Sequence, residues 1–162
     1  KGHNIHFITY QQPVRLAGFH ANIYYHEVRV PTYPLFDFPP YETALASAMV
    51  DVVINNDIEL LHVHYAIPHA SAGYMAKQIL QKEGKIVPFI TTLHGTDITL
   101  VGRDKTYSPV VTFSMEESDI IVKLKPKSEW VSAASKDELA DKIKSAIETQ
   151  IPNMEIEFTQ PI

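Results

Sequence analysis

The sequence predicts an α/β fold: a doubly wound, mostly parallel, Rossmann-like sheet followed by a C-terminal strand–helix–strand unit. Three observations carry that expectation. Strand-like apolar runs alternate with segments of helical spacing from residue 5 to residue 124, the order of a parallel sheet with helices on both faces. Residues 60–65 are nearly continuous in apolar character, as a buried parallel strand is. The chain has 162 residues, 45% hydrophobic and 20% charged, which is enough to bury roughly two-thirds of its unfolded surface.

Each element has its own local reason. Residues 5–9 are β-rich, and residues 11–22, with Pro13 and Gly18, read as a loop. Residues 23–30 read as a second strand with Tyr24, His26, Val28 and Val30 on one face. Pro31, Pro34, Pro39 and Pro40 exclude regular structure, and Tyr33, Phe36, Phe38 and Tyr41 suggest a loop packed on the domain. Residues 41–54 place Ala44, Leu45, Ala48, Met49, Val52 and Val53 at helical spacing. The same spacing returns over residues 70–81, and Gly84 is the expected stop. Residues 88–93 form the next strand, 110–117 a short helix and 119–124 a further strand. Ser135 is an N-cap with Glu138 at capping-box distance, and Leu139, Ile143 and Ile147 form the apolar stripe of a helix ending at Pro152. Residues 154–158 alternate as a last strand.

Composition excludes several functions. Fourteen Lys and Arg against nineteen Asp and Glu leave a net charge of -5, which argues against nucleic acid held on a basic surface. No cysteine is present, which excludes disulfides, thiolate metal sites and a cysteine nucleophile. The sequence has no apolar run of 18 residues and no signal-peptide pattern, so neither a membrane span nor a leader is expected in it. There is no GxGxxG, P-loop or nucleophile elbow.

Two clusters carry chemistry. All eight histidines fall at or before His94. His62 and His64 share a strand face, with His69 five residues on. Such a trio binds a transition metal, or lines a pocket and hydrogen-bonds there, and no carboxylate sits beside it at ligand spacing. The run Thr91-Thr92-Leu93-His94-Gly95-Thr96-Asp97 follows an apolar strand, where a doubly wound sheet binds ligands. Its hydroxyls, imidazole and carboxylate suit polyols or carboxylates, and His94 suits an acid, base or hydrogen-bond donor. The alternative is a capped turn in which Thr96 or Asp97 satisfies helix N–H groups. Trp130 reads as part of a surface turn, and Lys123, Lys125 and Lys127 as a solvated strand edge.

Longer motifs resemble a known family. Gly2-His3-Asn4-Ile5-His6-Phe7-Ile8-Thr9, the proline-rich run 31–40 with Tyr41-Glu42, Leu61-His62-Val63-His64-Tyr65-Ala66-Ile67-Pro68-His69-Ala70 and Thr91-Thr92-Leu93-His94-Gly95-Thr96-Asp97-Ile98-Thr99 resemble the N-terminal domain of retaining GT-B glycosyltransferases of the bacillithiol pathway. The resemblance covers residues 1–118. It implies a cytoplasmic enzyme that moves N-acetylglucosamine from UDP-GlcNAc to L-malate, without metal or other cofactor. It places Tyr65, Thr92 and His94 in the malate pocket and His94 also beside the transferred sugar, as the catalytic candidate. Thr96 and Asp97 complete the candidate substrate-binding set. The UDP-sugar would be held mainly by a C-terminal domain that this sequence does not contain. The family's first strand, glycine-rich loop and first helix are likewise not in it. Neighbouring strands are therefore expected to be left unpaired, with residues 155–158 as a candidate to fill the gap.

Residues 119–162 resemble a periplasmic porter segment of heavy-metal-efflux RND transporters, through Asp119-Ile120-Ile121-Val122-Lys123-Leu124-Lys125-Pro126-Lys127-Ser128-Glu129-Trp130 and Glu157-Phe158-Thr159-Gln160-Pro161-Ile162. The expectation is a chimera with its seam near residue 118: an acceptor-side glycosyltransferase fragment, inactive alone, joined to a transporter-like segment. The competing expectations are a non-enzymatic chimeric domain and a transporter fragment.

Overall fold

The computed structural model describes residues 2–16 and 21–123, together with helical residues Glu138, Asp141, Lys142 and Ser145. The chain divides into two compact units, Lys1–Leu124 and Lys125–Ile162. In the second, Lys142 Nζ lies 2.7 Å from Glu138 Oε1, one helical turn away. Trp130 and the expected strand 154–158 lie outside the described residues.

The first unit is α/β. Its elements run β1 (Ile5–Thr9), β2 (Ile23–Glu27), α1 (Tyr41–Asn56), β3 (Leu61–His64), α2 (Ser71–Lys82), β4 (Phe89–Leu93), α3 (Thr96–Thr99), α4 (Ser108–Glu116) and β5 (Ile120–Lys123). All described strand pairs are parallel. The expected single sheet is instead two: β1 pairs with β2, and β3, β4 and β5 form a second sheet in that order. No described strand hydrogen-bonds to both sheets. Residues 120–123 do join the sheet, with Ile90 opposite Ile120 and Leu93 opposite Lys123.

The core lies between α1, α2 and the strands. Leu45 and Val53 of α1, Leu80 of α2, Val87 and Phe89 are almost wholly buried in one cluster with Leu61, Val63 and Val28. The helix α2 comes closest to the sheet at Gly73, where an added Cβ would lie 3.4 Å from both Phe89 and Val63 side chains. Asp119 fastens the start of β5. Its carboxylate receives Lys77 Nζ of α2 at 2.9 Å and the Phe89 N–H at 2.8 Å. Partial burial works to raise the Asp119 pKa, but these hydrogen bonds and the Lys77 charge hold it below its ordinary value.

Element ends follow backbone rules. Asp57 takes a left-handed conformation (φ 52°) to close α1, and its N–H bonds the Val53 carbonyl. Gly84 (φ 79°) follows α2, as its sequence position predicts. The second strand stops at Glu27, short of the expected residue 30. The proline-rich segment corrects another expectation: it is not packed on the domain. Leu35 is 80% and Phe38 88% exposed, while Tyr33 and Phe36 pack on each other with ring centroids 5.5 Å apart. Prolines hold this backbone off the core, and only Tyr41, at the head of α1, turns inward to pack against the main cluster.

Replacing the fully buried Leu80 by Ala will lower stability by about 2–5 kcal/mol, measured by urea unfolding. Leu35→Ala, on the exposed loop, will change it by less than about 0.5 kcal/mol.

Candidate functional site

The site is built by the alternation of two neighbouring strands. Leu61 and Val63 of β3, and Phe89, Thr91 and Leu93 of β4, are buried on one face. Side chains that alternate with them must point the other way, and these are His62, His64, Ile90 and Thr92. The parallel register sets His64 opposite Thr92. His62 Nε2 then lies 2.8 Å from Thr92 Oγ1, and His64 Nδ1 lies 2.9 Å from His94 Nε2. The His62 and His64 rings stack with centroids 4.8 Å apart, and the His64 and His94 rings sit tilted to each other, with centroids 5.1 Å apart. His62 and His64 are outside the candidate substrate-binding set that the sequence offers. The signal for them was the HxH spacing on a strand, read there as either metal binding or pocket lining. Among the described residues no group of three or more His, Cys, Asp or Glu side chains is arranged to hold a metal.

Tyr65 closes the site. Its N–H still bonds the Thr92 carbonyl at 3.0 Å, but its backbone then turns to φ 73°, ψ 144°. A non-glycine residue there carries about 1–3 kcal/mol of strain. The turn sends the chain into the wide loop Ala66–Ala70, which contains a cis Ile67–Pro68 bond. It also lays the Tyr65 ring on His94, 4.4 Å between centroids and 23° from parallel. The strained residue is thus one that forms the surface of the cluster.

Gly95 (φ 94°) makes the turn out of β4, and α3 begins directly after it. Thr96 is exposed in its first turn. Asp97 is 3% exposed. Its Oδ1 accepts the His94 N–H at 3.1 Å and its Oδ2 the Ala66 N–H at 3.3 Å. One carboxylate therefore ties the loop after β3 to the loop after β4. Tyr65, Thr92 and His94 lie together, joined by His62 and His64. Thr96 lies at the rim, and Asp97 holds the backbone of the cluster.

Electrostatics favour the neutral imidazole at His62, His64 and His69. Desolvation by the packed rings, followed by repulsion from His62, His94 and His69, lowers His64 from its ordinary 6.5 to about 4. Desolvation also lowers His62. In His69 burial lowers the pKa and a hydrogen bond with the His64 backbone opposes it. His69 Nδ1 is buried with no hydrogen-bond partner.

Two outcomes follow. Asp97→Ala will cost about 1–3 kcal/mol, read from thermal or urea unfolding, because the buried Ala66 N–H and the partly buried His94 N–H lose their acceptor. For His64 the folded pKa of about 4 lies below the unfolded 6.5, so the unfolded chain binds the proton first. Its contribution is fully present above pH 6.5 and is lost as pH falls toward 4. The melting temperature will drop across that window, and the drop will be smaller in His64→Gln.

The chain matches the Glycosyltransferase Family 4 profile over residues 1–145. It is 48% identical over 121 residues to N-acetyl-alpha-D-glucosaminyl L-malate synthase of Bacillus anthracis, an alignment covering 75% of this chain and 31% of that protein. The chain thus spans under a third of its relative. The family match runs through residue 118 without a break and on to 145, so the transporter-like reading of residues 119–162 gains no support from it. With parallel strands, alternating helices and a cluster at the carboxyl ends of β3 and β4, the chain belongs to glycosyltransferase family 4.

Proposed function

We propose that this chain is the acceptor-side part of a retaining, bacillithiol-pathway glycosyltransferase that moves N-acetylglucosamine from UDP-GlcNAc to the hydroxyl of L-malate. The observation that carries the reading is the stacked Tyr65–His94 pair beside Thr92, at the carboxyl ends of two parallel strands. The relative's name, N-acetyl-alpha-D-glucosaminyl L-malate synthase, supports the acceptor's identity. Tyr65 and Thr92 contact the acceptor, and Thr96 extends the contact at the rim. His94 lies against both acceptor and transferred sugar. In the reaction the anomeric carbon loses its bond to the UDP oxygen and gains one to the malate hydroxyl oxygen, which gives up its proton. Asp97 acts through His94, by holding its backbone where the imidazole meets the ligand.

This part does not turn over alone. Transfer needs donor and acceptor held in reacting geometry, and aligned reactants contribute several kcal/mol that a site open on one side does not supply. The donor's partner surface belongs to residues outside this sequence.

Titrating L-malate into isotope-labelled chain will shift NMR signals of Tyr65, Thr92 and His94 and leave the α1–α2 core unmoved. No shift at millimolar malate would favour a non-enzymatic chimeric domain in its place. Incubation with UDP-GlcNAc and malate will yield no UDP, and measurable release would overturn the view that the chain is one half of a catalyst.

A further inference from the structure

L-Malate is a dianion at neutral pH, yet the site that would receive it is built from imidazole and phenol rings. Among the described residues, no lysine or arginine hydrogen-bonds to His62, His64, His94, Tyr65 or Thr92. Lys77, Lys85 and Arg29 are paired with Asp119, Asp57 and Glu27. The groups that face His64 are imidazoles: His62 on its own strand, His94 beyond β4 and His69 from the turn after β3. Tyr65 covers His94, and the Asp97 carboxylate of α3 is turned to the N–H groups of His94 and Ala66. A dianion desolvated here needs a cation, and the cluster holds no permanent one.

The histidine pair can make one. His64 Nδ1 and His94 Nε2 are 2.9 Å apart, so a single hydrogen lies between them. Two neutral imidazoles carry two N–H groups in total. One is shared between the rings, which leaves one N–H and one bare nitrogen facing outward. Adding a proton changes the count to three. The shared hydrogen stays, and both outer nitrogens, His64 Nε2 and His94 Nδ1, become donors on a unit of charge +1. That is a two-pronged cationic donor with a spacing set by the strand register.

We propose that the His64–His94 pair is the cation of the site, taking up one proton as a dicarboxylate binds and presenting an N–H from each ring to it. The proposal rests on the dicarboxylate-acceptor reading and adds His64 as a residue that contacts the ligand. The lowered proton affinity of His64 in the empty cluster supports it, since that imidazole stays neutral at neutral pH until the anion arrives. The ring–ring hydrogen bond gives His64 a second task, orienting the His94 imidazole.

The test is isothermal titration of the 162-residue chain with L-malate between pH about 6.5 and about 8, where His64 is neutral in the free protein, in two buffers of different ionisation enthalpy. The difference in heat reads the number of protons taken up. About one proton per malate is expected, with affinity rising up to about tenfold for each pH unit lowered. In His64→Gln, whose side chain can hydrogen-bond His94 but cannot be protonated, the uptake is lost and weaker binding no longer follows pH. Malate binding to the wild type without proton uptake, at an affinity flat in pH, would overturn the cation role and leave the acceptor reading standing. No binding at any pH in the range would remove both. The wild-type titration decides between these results whether or not the variant folds.

Discussion

Alternation along two hydrogen-bonded parallel strands is the constraint on which the site depends. Core packing claims Leu61, Val63, Phe89, Thr91 and Leu93 for one face, with Phe89 and Thr91 wholly buried. Once those residues are committed, His62, His64 and Thr92 have only the other face available, and the register decides which of them meet. A slip of one residue would bury the imidazoles and expose the core. The candidate site is thus a by-product of the same pairing that stabilises the sheet, and it is as firmly placed as the core behind it.

The two loops that leave these strands are less regular, and each is fixed by one local device. Asp97 joins them from below through two N–H groups that would otherwise be unsatisfied in the interior. Tyr65 holds a backbone conformation that a glycine would adopt more easily, and in exchange its ring covers His94. A glycine there would relieve the strain and remove the surface. Such strain at the carboxyl end of a strand is consistent with a site that trades stability for shape.

Away from the site the fold is held more loosely. The split between β1–β2 and β3–β4–β5 leaves an unpaired edge on β1 and another on β3 among the described residues. What keeps both sheets in one unit is the apolar cluster that α1 shares with Val28 and Ile8 on one side and Leu61 and Val63 on the other. The exposed aromatic loop over residues 31–40 marks where composition misleads. Aromatic residues suggested burial, but four prolines limit the paths the backbone can take, and the side chains satisfy one another locally instead.

Most of the element order was legible in the sequence. Helical spacing identified α1 and α2, and continuous apolar runs identified β3 and β4, because burial of one face imposes a period that the residues must keep. The short α3 was not foreseen, since four residues are too few to show a period. Tyr65, Thr92 and His94 were legible as candidates through motif resemblance and their place at strand ends. The partnership of His64 with His94 was not, because the two are thirty residues apart and meet only through register. Nor was the inward turn of Asp97, whose carboxylate looks the same in sequence whether it faces a ligand or a pair of amides. By itself the sequence determined the α/β class, the strands that could be buried and the family. Tertiary structure alone decided that the sheet is split, which imidazoles touch and which carboxylate faces inward, because those depend on distances between segments that no local period encodes.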